Sequence, residues 1–394
     1  MPQEHDFDSR IRAFQERLRA DEIDVAVLLD TRDQVYVSGL GLRGAVVVPA
    51  SEPPTHLVQL NVKRAREESA IDDVRPSRGL DTVTEVVEPL LDTDESTVGI
   101  ETDVVPVDVV ETLRNELPTG VSITDVSPAI LELRRCKSES ELERIERAGE
   151  ISHRAFEAVP DVFEVGLTEL QLKSKLQFVK QGAGAEDGMW SRAWDQHLDF
   201  GTLVSGPNTA VISGHWVTMT GDGPSRAQPY GAGHREVERG DLIVVDHQTV
   251  FEGYHCDEAR TYVVGEPSER HRDVHRALRK ALSAAEEAIE PGNRIGDVYD
   301  AAEDVLSETP FAEGFMGLDQ VGFEYVGHMV GLNADEKPLI TPWEETTIEP
   351  GMTFAVEPKV LFEGEEGLTL EDTFVATETG SRRLTKTPRE LFEL

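Results

Sequence analysis

The stretch LIVVDHQTVFEGYHCDEARTYVV, residues 242–264, decides how the rest of the chain is read. Its two apolar runs, Leu242–Val250 and Tyr254–Val264, have the length and the β-branched and aromatic content of paired strands. Asp246 and Asp257 lie at equal distances from a turn centred between Phe251 and Glu252, so an unbulged antiparallel hairpin sets them face to face. Directly opposed residues have Cβ atoms roughly 4.5–5.5 Å apart. Two carboxylates that close repel unless a cation or a proton sits between them. The neighbours Leu242–Val245 and Tyr262–Val264 are apolar, so solvent is a poor remedy. His247 alternates with Asp246 and is expected on the opposite face.

The same arithmetic recurs downstream. Glu357 and Glu371 are equidistant from Gly364, in strands expected at Thr353–Leu361 and Leu368–Thr377. Their flanks are again apolar: Phe354, Ala355 and Val356 on one side, Phe374 and Val375 on the other. Between the hairpins, His328 stands in VGHMVGL, residues 326–332, a nitrogen ligand on a glycine-flanked strand. Four carboxylates and one imidazole make an oxygen-rich site for two divalent metal ions. Water shared by two such ions ionises near neutral pH and becomes a nucleophile. The competing reading is ordinary strand acids in an acid-rich chain. Two hairpins of matching geometry with a histidine between them favour the site.

Upstream, Ser138 with Glu141 reads as a capping box opening a long helix that Pro160 ends. Thr168 with Gln171 is a second, opening a helix to about Lys180. A glycine-rich loop follows from Gln181 to Gly188, and residues 206–233 are turn-rich. Helices are expected near Glu269–Ile289 and Arg294–Ser307. Residues 1–133 alternate a helix over Phe7–Ala20 with strand-like runs at Val25–Leu29, Ala45–Val48 and Leu57–Leu60, a mixed α/β unit with little that looks chemical.

A chain of 394 residues accommodates two to three domains and a large core. Asp and Glu number 76 against 38 Lys and Arg, a net charge of −38. Such a surface repels phosphate backbones and anionic bilayers, so nucleic acid and membrane are not expected partners. Only 9 basic residues are lysines and 29 are arginines, which suits a halophilic protein whose self-repulsion is screened by concentrated salt. No apolar run is long enough to span a bilayer, and Met1–Ala20 mixes charges of both signs, unlike a secretory signal. Cys136 and Cys256 are too few for a disulfide framework or a thiolate metal site, and a reducing cytoplasm is the simplest location.

At these residues the chain resembles the M24 metallopeptidase family, which has the creatinase or pita-bread fold. The matching text is Val245-Asp246, GYHCDEART (253–261), GHMVGL (327–332), PGMTFAVEP (350–358) and Leu370-Glu371-Asp372-Thr373. The resemblance implies an α+β pita-bread catalytic domain over 138–394, preceded by a smaller α/β creatinase-type domain over 1–133, where Asp30 and YVSGL (36–40) match more loosely. It places the metal ligands on Asp246, Asp257, His328, Glu357 and Glu371. Asp257 and Glu371 would bridge two divalent ions, Asp246 would complete one, and His328 with Glu357 the other. Manganese is the first expectation, with cobalt, iron or zinc as alternatives. Glu357 would also shuttle the proton of the attacking water, and Arg260 would hold a carboxylate from outside. A homodimer is carried over on the same ground.

Two departures stand out. Tyr230, in Gln228-Pro-Tyr-Gly231, occupies the place of a family histidine, and Asp335 that of a second, seven residues after His328. Tyrosine can still donate to an oxyanion; aspartate does so only when protonated. His215 is the candidate compensating catalytic residue, with His234 and His255 weaker ones. The leading function is therefore an Xaa-Pro aminopeptidase- or prolidase-like hydrolase acting on a peptide or small amide. The alternatives are a small-molecule C–N hydrolase or lyase, and a metal-binding homologue that has lost catalysis.

Overall fold

Valine-rich runs too short for helices build the first sheet. In the computed structural model, which describes residues 4–91, 95–192, 201–213, 218–317 and 323–394, these strands are β1 (Val25–Leu28), β2 (Gly44–Pro49), β3 (Thr55–Val58), β4 (Asp73–Pro76), β5 (Thr97–Ile100) and β6 (Ser122–Asp125). Their order is β4-β3-β2-β1-β5-β6, antiparallel at β1–β2 and β2–β3 and parallel elsewhere. Helices α1 (Glu4–Ala20), α2 (Thr31–Ser38), α3 (Val62–Glu68), α4 (Leu80–Val87), α5 (Val107–Glu116) and α6 (Ser127–Arg135) accompany them. Helix α2 is capped by the Asp30 carboxylate and closed by Gly39 at φ 72°, where a Cβ would lie 2.8 Å from the Phe7 ring. These elements form one compact unit, Met1–Ser140; Glu141–Arg192 and Gln196–Leu394 form the other.

In the second unit, α7 (Glu139–Val162) runs through Pro160, contrary to expectation. Pro160 has no N–H to give the Phe156 carbonyl, and the buried Tyr262 hydroxyl donates to that carbonyl instead at 3.0 Å. The Thr168–Gln171 capping box forms and starts α8 (Glu169–Gly182). Strand β7 (Gly201–Ser205) pairs with β8 (Leu242–Phe251), which pairs with β9 (Tyr254–Val263). Helices α9 (Glu269–Ala288) and α10 (Ile295–Ser307) follow. Then come β10 (Gly327–Met329), β11 (Glu336–Leu339), β12 (Thr353–Val356), β13 (Lys359–Phe362), β14 (Glu366–Thr369), β15 (Asp372–Thr377), β16 (Gly380–Arg383) and β17 (Phe392–Glu393). They assemble as β11-β10-β12-β15-β16, β17-β9-β8-β7 and the pair β13-β14.

The first hairpin corrects the expected register. Its turn is Glu252-Gly253, with φ of 47° and 84°, the two left-handed residues that match strand twist. The ladder therefore pairs Asp246 with Ala259 and Gln248 with Asp257. Asp246 and Asp257 are diagonal neighbours on one face, not direct partners. The second register is as expected: Val356 faces Asp372 and Lys359 faces Thr369, so Glu357 and Glu371 meet symmetrically about Gly364. Each expected long strand is nevertheless split there, because the two chains turn to other partners. Glu357 N–H donates to Val326 O (2.9 Å), and Glu371 N–H to Ala259 O (3.2 Å).

One apolar cluster, including Val274, Leu278, Val298, Phe354 and Phe374, packs α9 and α10 on the β12–β15 face. Another, including Phe156, Leu172, Ile243, Val245 and Tyr262, packs α7 and α8 on the outer face of β8–β9. His247 lies on that outer face as alternation requires, edge-on to Phe156 at 4.6 Å. On the other face of β8, Asp246 and Gln248 follow Leu242 and Val244, which are buried in apolar clusters of their own.

Candidate metal centre

Alternation along β8 and β9 puts Asp246, Gln248 and Asp257 on one face, and the split at Glu357 and Glu371 points two more carboxylates to the same place. His328 arrives on β10 beside β12. The five side chains form two triads, Asp257–His328–Glu371 and Asp246–Glu357–Glu371, each with ligand atoms within 4.8 Å of one another. Glu371 belongs to both. All five sequence-expected ligands are thus brought together.

The surroundings orient them. Gln248 donates Nε2 to Asp257 Oδ2 at 2.5 Å, and the Glu258 N–H donates to Asp257 Oδ1 at 3.0 Å. His328 donates Nδ1–H to Met329 O at 3.0 Å, which leaves Nε2 facing the carboxylates as the atom that would ligate a metal on losing its proton. Nε2 lies 3.7 Å from Asp257, 3.4 Å from Asp335 and 3.9 Å from Glu357. Gly327, just before it, admits no side chain: a Cβ would meet Ala355 O at 2.0 Å. Arg260 is fully buried and donates to Asp372 Oδ1 (2.8 Å), Glu258 Oε1 (3.1 Å) and Glu371 O (2.5 Å). It therefore fixes Glu371 through the backbone rather than by gripping the ligand carboxylate.

Burial and mutual repulsion dominate the electrostatics. Burial, with Asp246 alongside, pushes Asp257 up to about 8. Burial with Asp257 and Asp246 raises Glu371 well above the carboxylate range, and burial raises Asp246 despite Lys359. Burial works against a charged His328, but Asp335, Glu357 and Asp257 hold it above the ordinary histidine value. Glu371 Oε2 is buried without a hydrogen-bond partner. An orphaned carboxylate oxygen among repelling carboxylates, with an imidazole nitrogen facing them, fits divalent cations bound by oxygen and nitrogen.

One group was missed by reading the sequence. Lys359, only 4 % exposed, places Nζ 3.5 Å from Asp246 Oδ2 and pairs directly with Glu357 Oε2. Burial lowers its pKa, but Glu357, Tyr325 and Asp246 together hold it well above the ordinary lysine value. The expected continuous strand through Thr353–Leu361 would have put Lys359 on the side of Glu357, and although that strand is split, the two side chains still meet. Gln248 was signalled by the same parity from Asp246.

The other candidates separate. His215 lies outside the described residues. Tyr230 is half-buried on a loop whose Gly231 N–H donates to Thr220 O at 2.7 Å. His234 is exposed. His255 is buried, bonding through Nδ1 to Gly331 O (3.0 Å) and accepting the Trp190 N–H at Nε2 (3.1 Å). The Ser205–Asn208 segment is tied to the buried Glu169, which accepts from Ser205 N (2.7 Å) and Asn208 Nδ2 (3.1 Å).

Comparison with known proteins agrees with this geometry. Residues 143–378 match the model of metallopeptidase family M24, and residues 10–136 match the creatinase/prolidase N-terminal domain. The chain is 30 % identical over 359 residues to an Xaa-Pro dipeptidase of Pyrococcus furiosus, spanning 90 % of this chain and 91 % of that one. It is 30 % identical to a probable dipeptidase of Mycobacterium tuberculosis over 73 % of each chain. The crystal structure of the prolidase from Pyrococcus horikoshii superposes with a TM-score of 0.81 at 26 % identity, covering 97 % of this chain and 99 % of that one. Among the described residues no helix is long and apolar enough to cross a membrane.

Proposed function

The chain belongs to metallopeptidase family M24, and on that premise we propose that it removes the N-terminal residue from Xaa-Pro peptides, dipeptides included, with two divalent ions as cofactors. The observation that carries this is the convergence of Asp246, Asp257, His328, Glu357 and Glu371 into two triads sharing Glu371. Bound divalent ions would supply Lewis-acid polarisation of the scissile carbonyl and a water ionised near neutral pH. The protein's own groups do the rest. Glu357 accepts the proton of the attacking water and delivers it to the leaving nitrogen. Tyr230 and His215 donate to the developing oxyanion in place of the family histidines. The net charge of −38 attracts the free amine of the substrate. Manganese is the metal of first choice, and a cytoplasmic homodimer in concentrated salt is the working form.

Incubating the protein in molar KCl with manganese, and reading products by mass spectrometry, tests the proposal. Release of one N-terminal residue only when proline follows is the expected result. A second reading, hydrolysis of a small-molecule C–N bond, is favoured by Tyr230 and Asp335 standing where the family's peptidases carry histidines. No cleavage of any peptide by protein that holds metal would turn the assignment to that reading, or to a binder without catalysis.

A further inference from the structure

The segment that follows His328 turns back beside its own imidazole. Across the β10–β11 pairing His328 faces Leu339 and Met329 faces Glu336, so the register shifts between them. The connection is tied down along its length. Gly331 N–H donates to Asn333 O at 3.2 Å, and Gly331 O accepts the His255 N–H at 2.8 Å. Ala334 N–H donates to Trp190 O at 2.6 Å, and Asn333 N–H to Glu336 Oε1 at 3.3 Å. A Cβ on Gly331 would lie 2.7 Å from the Glu336 carboxylate. These contacts hold Asp335 with Oδ1 3.4 Å from His328 Nε2. Its side chain is 31 % exposed, and His328 is its one ion-pair partner among the described residues.

Two atoms bound to one divalent ion at about 2.0–2.2 Å lie about 2.8 Å apart at right angles and about 4.4 Å apart when opposed. Asp335, Asp257 and Glu357 place oxygens 3.4, 3.7 and 3.9 Å from His328 Nε2. All three separations suit a shared ion, and that of Asp335 is the shortest. Asp335 stands outside both triads; being partly exposed, it can rotate to follow an ion where the buried ligands cannot. Charge points the same way. The carboxylates of Asp246, Asp257, Glu357 and Glu371 balance two divalent ions, and the Lys359 ammonium paired with Glu357 adds a positive charge that a buried site has to offset. Asp335 supplies the matching negative charge.

We propose that Asp335 is a sixth protein ligand of the centre, binding the divalent ion that His328 and Glu357 hold. This rests on the two-metal reading above and adds a ligand to it. A carboxylate bound to metal has no proton to donate. The residue that replaces the second family histidine therefore tightens the ion instead of stabilising an oxyanion, and that duty is left to Tyr230 and His215.

The test is a titration of chelator-treated full-length wild type, Asp335→Ala and Asp335→Asn with manganese(II) alone. Calorimetry reads the affinities, and water-proton relaxation counts the waters on the bound manganese. Asp335→Ala should weaken one of the binding events at least about tenfold and add one exchanging water to the bound manganese. Asp335→Asn keeps the shape and an acceptor oxygen but not the charge, and should also bind more weakly. Both variants change a partly exposed side chain, and thermal melting of the metal-free proteins checks that they fold. Unchanged affinity in Asp335→Ala, or weaker binding without the extra water, would overturn the inference while leaving the two-metal reading intact. A wild type that binds none of manganese, cobalt, iron or zinc, each titrated alone, would overturn both.

Discussion

Replacing Arg260 by methionine should destabilise the catalytic unit by about 4 kcal/mol. The guanidinium is fully buried and serves six acceptors: the carboxylates of Asp372 (2.8 Å) and Glu258 (3.1 Å), and the carbonyls of Ala259, Glu371, Thr387 and Pro388 at 2.8, 2.5, 2.6 and 2.9 Å. Asp372 keeps other partners, since Arg389 also pairs with it and Thr385 donates to it at 2.7 Å. Among the described residues Glu258 keeps only neutral donors, Ser152 Oγ at 2.8 Å and Thr387 N–H at 3.1 Å. The uncompensated charge therefore falls on Glu258. Removing one partner of a buried pair costs about 3–5 kcal/mol, and stripping four buried carbonyls keeps the estimate away from the low end. Arg260→Lys retains the charge but cannot reach six acceptors, so about half the loss is expected. Urea unfolding of metal-free protein, followed by tryptophan fluorescence, measures it. Trp190, Trp194, Trp216 and Trp343 all fall after residue 189, so the signal follows the second part of the chain. If the cost lies in the stranded charge, Arg260→Met with Glu258→Gln should recover roughly 1–2 kcal/mol. A loss below about 1 kcal/mol for Arg260→Met, or a further loss on adding Glu258→Gln, would refute the reasoning.

Burial depresses His56 and His275 to about 4 and holds His247 well below its usual value. The unfolded chain takes up these protons first, so stability should be full above about pH 6.5 and fall towards pH 4, by up to about 3 kcal/mol per histidine. Unfolding of the wild type against His275→Gln across that window checks it, the variant showing the shallower slope. With a net charge of −38, stability should rise from dilute buffer to molar KCl as repulsion is screened; equal melting temperatures across a KCl series would exclude salt adaptation. Gly327→Ala drives a Cβ to 2.0 Å from Ala355 O, so β10 must shift; we expect a loss of more than about 3 kcal/mol together with weakened manganese binding through His328, measured by denaturation and calorimetry.

Much of the centre was legible because the needed information is local. Side chains alternate along a strand, so the even separation 246–248 settles a shared face within β8, and a two-residue turn keeps Asp257 on that same face. The expected face-to-face pairing of Asp246 with Asp257 failed by two residues. Loop geometry sets register, and the positive-φ pair Glu252-Gly253 moved the turn without changing the parity. The continuous strands expected through Glu357 and Glu371 failed because their backbones bond to Val326 and Ala259, partners far away in the chain. Proline at 160 was read as a stop from a local rule, but a residue far along the chain, Tyr262, supplies the hydrogen bond to Phe156 O that the proline cannot.

The sequence by itself pointed to the family and to the five candidate ligands in their order, since these follow from residue identity and spacing. The tertiary structure alone decided that Asp335 stands 3.4 Å from His328, that Arg260 holds Glu371 by its carbonyl, and that Lys359 lies among the carboxylates it neutralises. Face and period are properties of one strand. The distance between charges on different strands depends on how the sheets come together, and electrostatics in a buried site depends on that distance.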